Sequence, residues 1–179
     1  MMTVEKFVSM AKKIATEYKT LYVMGCIGAP LTSSNFHRYT SNYPYNGKAI
    51  RREMIRNACD TNPRTFGFDC VCLVKSILWG FQGDPSKPYG GAEYCSNNVP
   101  DINEAGMINV CSKVSTDFTN ITVGEVVYMP GHIGIYVGNG EVVECSPAWK
   151  NGVQITKLPQ RKWTKHGFLP YVNYGTPKP

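Results

Sequence analysis

The sequence contains no apolar run approaching the roughly 20 residues that a membrane-spanning helix requires, so a helix crossing a bilayer is not expected. Its opening stretch, MMTVEKFVSMAKKIATEYKT, places lysines and glutamates where a secretory leader has an apolar core. Synthesis in the cytoplasm without a signal peptide is the expectation. Histidine is scarce, with only His37, His132 and His166, and imidazole chemistry therefore has few possible seats. The seven cysteines (Cys26, Cys59, Cys70, Cys72, Cys95, Cys111 and Cys145) are odd in number and irregularly spaced, unlike the framework of a disulfide-stapled domain. Reduced thiols are expected. Cys70 and Cys72 lack the usual spacer and second ligand pair of a zinc site, which leaves no metal and no cofactor implied. Nor is there an internal repeat, a low-complexity tract or an interdomain linker, so residues 1–179 read as one domain.

What is present is an ordinary globular composition, 42% hydrophobic and 18% charged, with a formal charge of +6. The charge favours polyanionic partners such as nucleic acid, an anionic membrane or an anionic cell wall, and by itself chooses none of them. Val4, Phe7, Val8, Ala11, Ile14, Ala15 and Tyr18 recur at helical spacing, predicting an amphipathic helix over residues 4–19 capped by Thr3. Residues 25–48, rich in Gly, Pro, Ser, Asn and Tyr, read as a long loop, with a short helix around AIRREMIRNAC. Tyr39, Tyr43 and Tyr45 in that stretch either flank a binding groove or close a satellite core. Residues 82–100 are again loop-like, and DINEAGMINVC offers Asp101 and Glu104 as a capping box for another short helix. From residue 121 onward, ITVGEVVYM, HIGIYVG, EVVECS, GVQITKL and GFLPYVNY are β-rich segments separated by Pro-Gly and Asn-Gly turns, a meandering antiparallel sheet. Helices followed by a sheet predict an α+β fold. The last residues, GTPKP, look like a loose tail.

One short segment concentrates chemistry. In FGFDCVCLVKSILWGF, Asp69 is placed to cap a helix whose buried stripe is Leu73, Val74, Ile77 and Leu78 and whose end is Gly80. Cys70 then occupies the first turn, where the helix dipole favours thiolate and free N–H groups can receive an oxyanion. Cys72 falls off the stripe and reads as structural. A cysteine nucleophile needs a base. His37 and His166 lie in polar surroundings that suggest surface residues, whereas His132 begins a strand after Pro130-Gly131, and Gly134 leaves space beside it for another chain. Glu144, across the turn VGNGE, can orient the imidazole only if both side chains share a face. A two-residue Asn139-Gly140 turn puts them on opposite faces, and a three-residue loop with left-handed Gly140 puts them on one.

Residues 66–80, together with GEVVYMPGHIGIYVGNGEVVECSP, resemble the NlpC-type family of cell-wall cysteine peptidases, whose pattern is a DCSG helix start, a GD strand, HVGIY and a third polar residue across a hairpin. With LYVMG set against the family's YVWGG, the resemblance runs over roughly residues 4–24 and 64–174 and leaves residues 25–63 as an insertion. It implies a papain-like, circularly permuted fold with N-terminal helices packed on a C-terminal antiparallel sheet. By position, it implies Cys70 as nucleophile, His132 as base, Glu144 as the orienting residue, Tyr22 as a site-lining tyrosine that assists the oxyanion, and Asp69 as a retained member of the substrate pocket. Val71 and Cys72 replace the family's serine and glycine, which bears on the peptide preferred. The implied activity is a peptidoglycan endopeptidase cutting stem peptides between D-glutamate and the following diamino acid, in a phage or prophage lysin acting on the wall after release through a holin. An N-acetylmuramoyl-L-alanine amidase using the same residues is the alternative within the class, and an inactive wall-binding or tail-structural protein the alternative outside it. Partners are then peptidoglycan stem peptides and anionic wall polymers, with no nucleic acid and no membrane.

Overall fold

The computed structural model describes residues 1–176. The chain opens with β1 (Met2–Thr3) and α1 (Val4–Glu17), continues through β2 (Lys19–Tyr22) and β3 (Ile27–Pro30), and then forms α2 (Ser33–Asn42), α3 (Pro44–Gly47) and α4 (Ala49–Ala58). A short strand, β4 (Thr65–Phe68), leads into α5 (Cys70–Leu78), and after a long irregular passage come α6 (Glu104–Asn109) and β5 (Ser112–Ser115). The rest is β6 (Val126–Met129), β7 (His132–Gly138), β8 (Glu141–Ser146), β9 (Gly152–Lys157), β10 (Lys165–Phe168) and β11 (Val172–Asn173).

The six-stranded sheet runs β5-β10-β6-β7-β8-β9 and is antiparallel throughout. α5 packs on β7 and β8, and α1 on β7, β8 and β9, so the molecule is α+β with helices laid on an antiparallel sheet. α1 follows its pattern: Phe7, Val8, Ala11 and Ile14 are buried, and the Thr3 side chain accepts from the Lys6 amide. All nine residues of α5 are buried, including Cys72, Lys75 and Ser76. The Lys75 ammonium is charge-paired with Asp101, which also accepts from the Tyr94 hydroxyl at 2.7 Å, as a cation in a core must be paired.

The chain differs from the sequence expectations at several points. Residues 25–48 are largely ordered into β3, α2 and α3. They carry too few apolar residues to show a helical stripe, and caps and tertiary contacts supply the stability instead. Thr32 and Asn35 form a reciprocal capping box, and Tyr39 is buried with Val23, Cys26, Ala29, Leu31 and Ile55 in a second, smaller core. Asn103, not Asp101, caps α6, its Oδ1 accepting from the Gly106 amide at 2.8 Å. The strand expected from residue 121 begins only at Val126, and β11 leaves the main sheet to pair in parallel with β1. His166 is not a surface residue: it is buried, with Nδ1 2.8 Å from Glu125 and Nε2 2.8 Å from the Asp117 carbonyl. Residues 177–179 of the expected tail lie outside the described residues.

The β7–β8 hairpin resolves the question of facing by a route that neither loop length anticipated. The turn has two residues, Asn139 (φ 53°) and Gly140 (φ 69°), both left-handed as a type I′ turn demands, and Gly138 pairs with Glu141. Tyr136 nevertheless pairs with Val142 and Ile135 with Val143, because Val137 is an extra residue in β7. This bulge shifts the register by one. Continued along the ladder, the register brings Glu144 opposite Gly134, on the face of His132.

At Gly140 nothing stands within 4 Å of where a Cβ would lie, so a substitution there tests backbone conformation alone. Gly140→Val is expected to cost about 1–2 kcal/mol, the penalty of a left-handed conformation, and to lower Tm by roughly 2–8 °C, while Asn139→Gly leaves Tm near the native value. Equal melting of Gly140→Val and the native protein would refute the type I′ assignment.

Candidate active site

β4 delivers the chain to α5 at a junction held by one carboxylate. Asp69 caps the helix through Oδ1, which accepts from the Cys72 amide at 2.8 Å, and its Oδ2 accepts from the Gly25 amide at 2.8 Å. Both oxygens are thus engaged by backbone, tying the turn after β2 to the helix start. Cys70 follows at the lining of a cavity of about 750 Å³, its side chain nearly covered. The Ile133 and Val71 amides favour its thiolate, but burial first, and then the negative charges of Asp69 and Glu104, push the thiol up to about 12. Desolvation therefore outweighs the helix N-terminus, and the resting group is a neutral thiol.

His132 heads β7 immediately before Ile133, whose amide serves the Cys70 sulfur. Its Nε2 lies 2.9 Å from Glu144 Oε1. A carboxylate at Nε2 holds the ring proton there and leaves Nδ1 with its lone pair, the tautomer a base needs. Glu144 is fully buried. Its burial opposes ionisation, but hydrogen bonds from His132 and Thr156 and the charges of His132 and Arg161 hold its carboxyl below the usual range. Thr156 Oγ1 donates to Oε2 at 2.7 Å, and Arg161 Nε donates to Oε1 at 2.6 Å. The Trp163 ring stacks on His132, with centroids 5.4 Å apart and planes 14° from parallel.

Thr156, Arg161 and Trp163 escaped the reading of the sequence. Only Gly134 carried a signal for any of them: a Cβ there would stand 3.3 Å from the Trp163 ring and 2.7 Å from Val142 Cγ1. The space Gly134 leaves is filled by the indole that covers the histidine.

Tyr22, at the end of β2, lines the same cavity as Cys70 and Asp69. Burial and then the Asp69 charge raise its phenol far above the ordinary value, so it is a hydroxyl donor at any working pH. Arg51 secures it, donating to the Tyr22 carbonyl and lying over both the Tyr22 and Tyr45 rings. From residues 25–63, Arg38 and Tyr43 reach the cavity wall, whereas Tyr39 belongs to the second core. His37 is exposed on α2, 3.3 Å from Ser41 Oγ, and His166 is committed to Glu125. The structure thus brings Cys70, Asp69 and Tyr22 to one cavity, and pairs His132 with Glu144 on β7 and β8, the strands on which α5 packs. All seven cysteines are free, and among the described residues no cluster of three His, Cys, Asp or Glu could hold a metal.

The NlpC/P60 family model matches residues 40–171, and the chain belongs to that family. No curated protein matches it. Similar solved structures include NlpC1 from Trichomonas vaginalis, 13% identical over 93% of this chain and 44% of that one, with a TM-score of 0.46. NlpC2 from the same organism is 13% identical over 93% and 46%, with a TM-score of 0.45. The peptidoglycan hydrolase RipB from Mycobacterium tuberculosis is 17% identical over 92% and 65%, with a TM-score of 0.45. The chain therefore spans less than half the length of the first two and about two thirds of the third.

The thiol's burial has a direct chemical consequence. Iodoacetamide at pH 7 is expected to modify the exposed Cys95 first, and Cys70 slowly, at a rate rising about tenfold per pH unit until its titration near 12. Peptide mapping by mass spectrometry reads both. Fastest labelling at Cys70, on a plateau already reached at neutral pH, would contradict the neutral-thiol assignment.

Proposed function

We propose, from membership of the NlpC/P60 family, from Cys70 at the start of α5 and from the His132–Glu144 pair on the sheet against which α5 packs, that the protein is a peptidoglycan hydrolase working as a cysteine peptidase on stem peptides. The observation that carries the reading is the His132–Glu144 hydrogen bond on the strand against which α5, with Cys70 at its start, packs. A bulge-shifted register and a buried acid are what an oriented base requires, and a purely structural hairpin needs neither.

In this mechanism Cys70 Sγ attacks the amide carbonyl as its proton passes to His132 Nδ1, and the carbonyl π electrons move to oxygen. In this reading the Cys70 amide and the Tyr22 hydroxyl, which lines the same cavity, donate to that oxyanion. Collapse breaks the C–N bond, Nδ1 protonates the leaving amine, and water then hydrolyses the thioester with His132 as base. Glu144 holds the Nε2–H tautomer and offsets the charge that develops on the ring. The cavity suits a peptide bearing both a carboxylate and an amine: Arg38, which donates to the Tyr89 hydroxyl at 3.3 Å, and Glu104 both line it. Of the stem-peptide bonds, we take the one between D-glutamate and the diamino acid as substrate. The basic surface of α4, where Arg52 and Arg56 lie over Phe36, and the charge of +6 suit anionic wall polymers. By the same family resemblance, we take the protein as a phage or prophage lysin, acting on the wall after release from the cell that makes it.

Digestion of purified walls, with product masses read for the native protein, Cys70→Ser and Cys72→Ser, tests this reading. Expected are new amines on the diamino acid, loss of at least three orders of magnitude in Cys70→Ser, and an active Cys72→Ser. New amines on the L-alanine that follows muramic acid would assign an amidase. No products from the native protein would leave a wall-binding role in place of an enzyme.

A further inference from the structure

One oxygen of Glu144 serves two nitrogen donors. Oε1 stands 2.9 Å from His132 Nε2 and 2.6 Å from Arg161 Nε, while Oε2 is taken by Thr156. The Arg161 side chain reaches this point at 18% exposure, its Nη2 donating to Ser146 Oγ at 2.8 Å and its guanidinium lying 4.7 Å from the Trp149 ring centre. A carboxylate with no solvent access needs one positive charge to compensate it. Arginine carries its charge at every accessible pH, so the compensation is in place before His132 takes a proton. Protonating the ring then adds net positive charge to a pair already neutral.

The other groups around His132 leave that balance intact. On β8, Glu144 faces His132, with Glu141 at the hairpin end and Cys145 on the other face; β6 sets Met129 beside His132, and the segment after β9 contributes Arg161 and the uncharged Trp163 face. On the α5 side, Asp69 keeps its charge while bonded to two backbone amides, the same in every variant at position 161. Glu104, on α6, lies at the cavity wall.

We propose that Arg161 is a positioning residue: it fixes Glu144 as acceptor for Nε2–H while denying His132 the full charge of the carboxylate. Glu144 then orients the ring while its charge is already met by Arg161, and the proton leaves Cys70 only as the carbonyl is attacked. The catalytic meaning of this rests on the function proposed above, but the charge balance does not, and it can be read without substrate.

The test is the titration of His132 by NMR in the native protein, Arg161→Gln and Arg161→Lys, with His132→Gln to assign its signals and His37 and His166 as internal references. In Arg161→Gln, His132 becomes the sole counter-charge of Glu144, and its midpoint is expected to rise by about one unit or more. With it, alkylation of Cys70 at neutral pH accelerates about tenfold, since an imidazolium now stabilises the thiolate. Arg161→Lys, which keeps the charge, is expected to stay within about 0.3 units of the native midpoint. If Arg161→Gln does not fold, as altered His166 signals would show, Arg161→Met retains the stem against Trp149 and takes its place. An unmoved His132 midpoint in a folded neutral variant, or an equal rise in Arg161→Lys, overturns the proposal. Absence of activity on walls would remove the proposed function and leave the titration result to decide this inference alone.

Discussion

A carboxylate that cannot reach water dictates the arrangement of this site. Glu144 is fully buried on the central sheet, and an ion so placed survives only with its oxygens saturated and its charge compensated. Thr156, Arg161 and His132 together meet both conditions. Each comes from a different part of the C-terminal half, so the register of β7, β8 and β9 and the return of the chain through residues 158–163 must all be correct at once. The Val137 bulge is one such requirement, because without the residue it inserts Glu144 would face away from His132. The Trp163 ring over Gly134 is another, excluding water from one face of the imidazole.

The other half of the site follows a different constraint, that of a helix sunk entirely in the core. α5 has no exposed residue, so its N-terminus is set by what covers it: Asp69 stitching Gly25 to the first turn, and β7 supplying the Ile133 amide. Such burial makes Cys70 a poor thiolate on its own. A thiol held neutral is protected from adventitious oxidation and alkylation, and in the proposed mechanism its activation falls to the base that Glu144 orients.

The sequence revealed the parts whose chemistry is local. Asp69 before an apolar run announces a capped helix, Thr3 announces α1, and Pro130-Gly131 and Asn139-Gly140 announce turns, because each depends on the conformational preferences of one or two residues. Cys70 and His132 were legible through those elements. The features it hid are set at a distance. The Val137 bulge balances the demands of a type I′ turn against those of a buried face, and no residue in HIGIYVG marks it. Arg161 stands seventeen residues beyond Glu144, outside any strand, and its partner is named only by the fold. Residues 25–48 looked like loop because their helices rest on caps and on a few tyrosines, not on an apolar stripe, and His166 looked exposed because its lysine-rich neighbours gave no hint of Glu125.

In the proposed function, acyl transfer passes through Cys70 with His132 as the proton carrier. Its most direct test is to acid-quench the protein during turnover of a purified stem peptide and weigh the intact chain. Expected is an added mass equal to the acyl half of the peptide, mapped to Cys70, labile to hydroxylamine, and absent in Cys70→Ser. An adduct on another residue, or turnover by Cys70→Ala at the native rate, would contradict it.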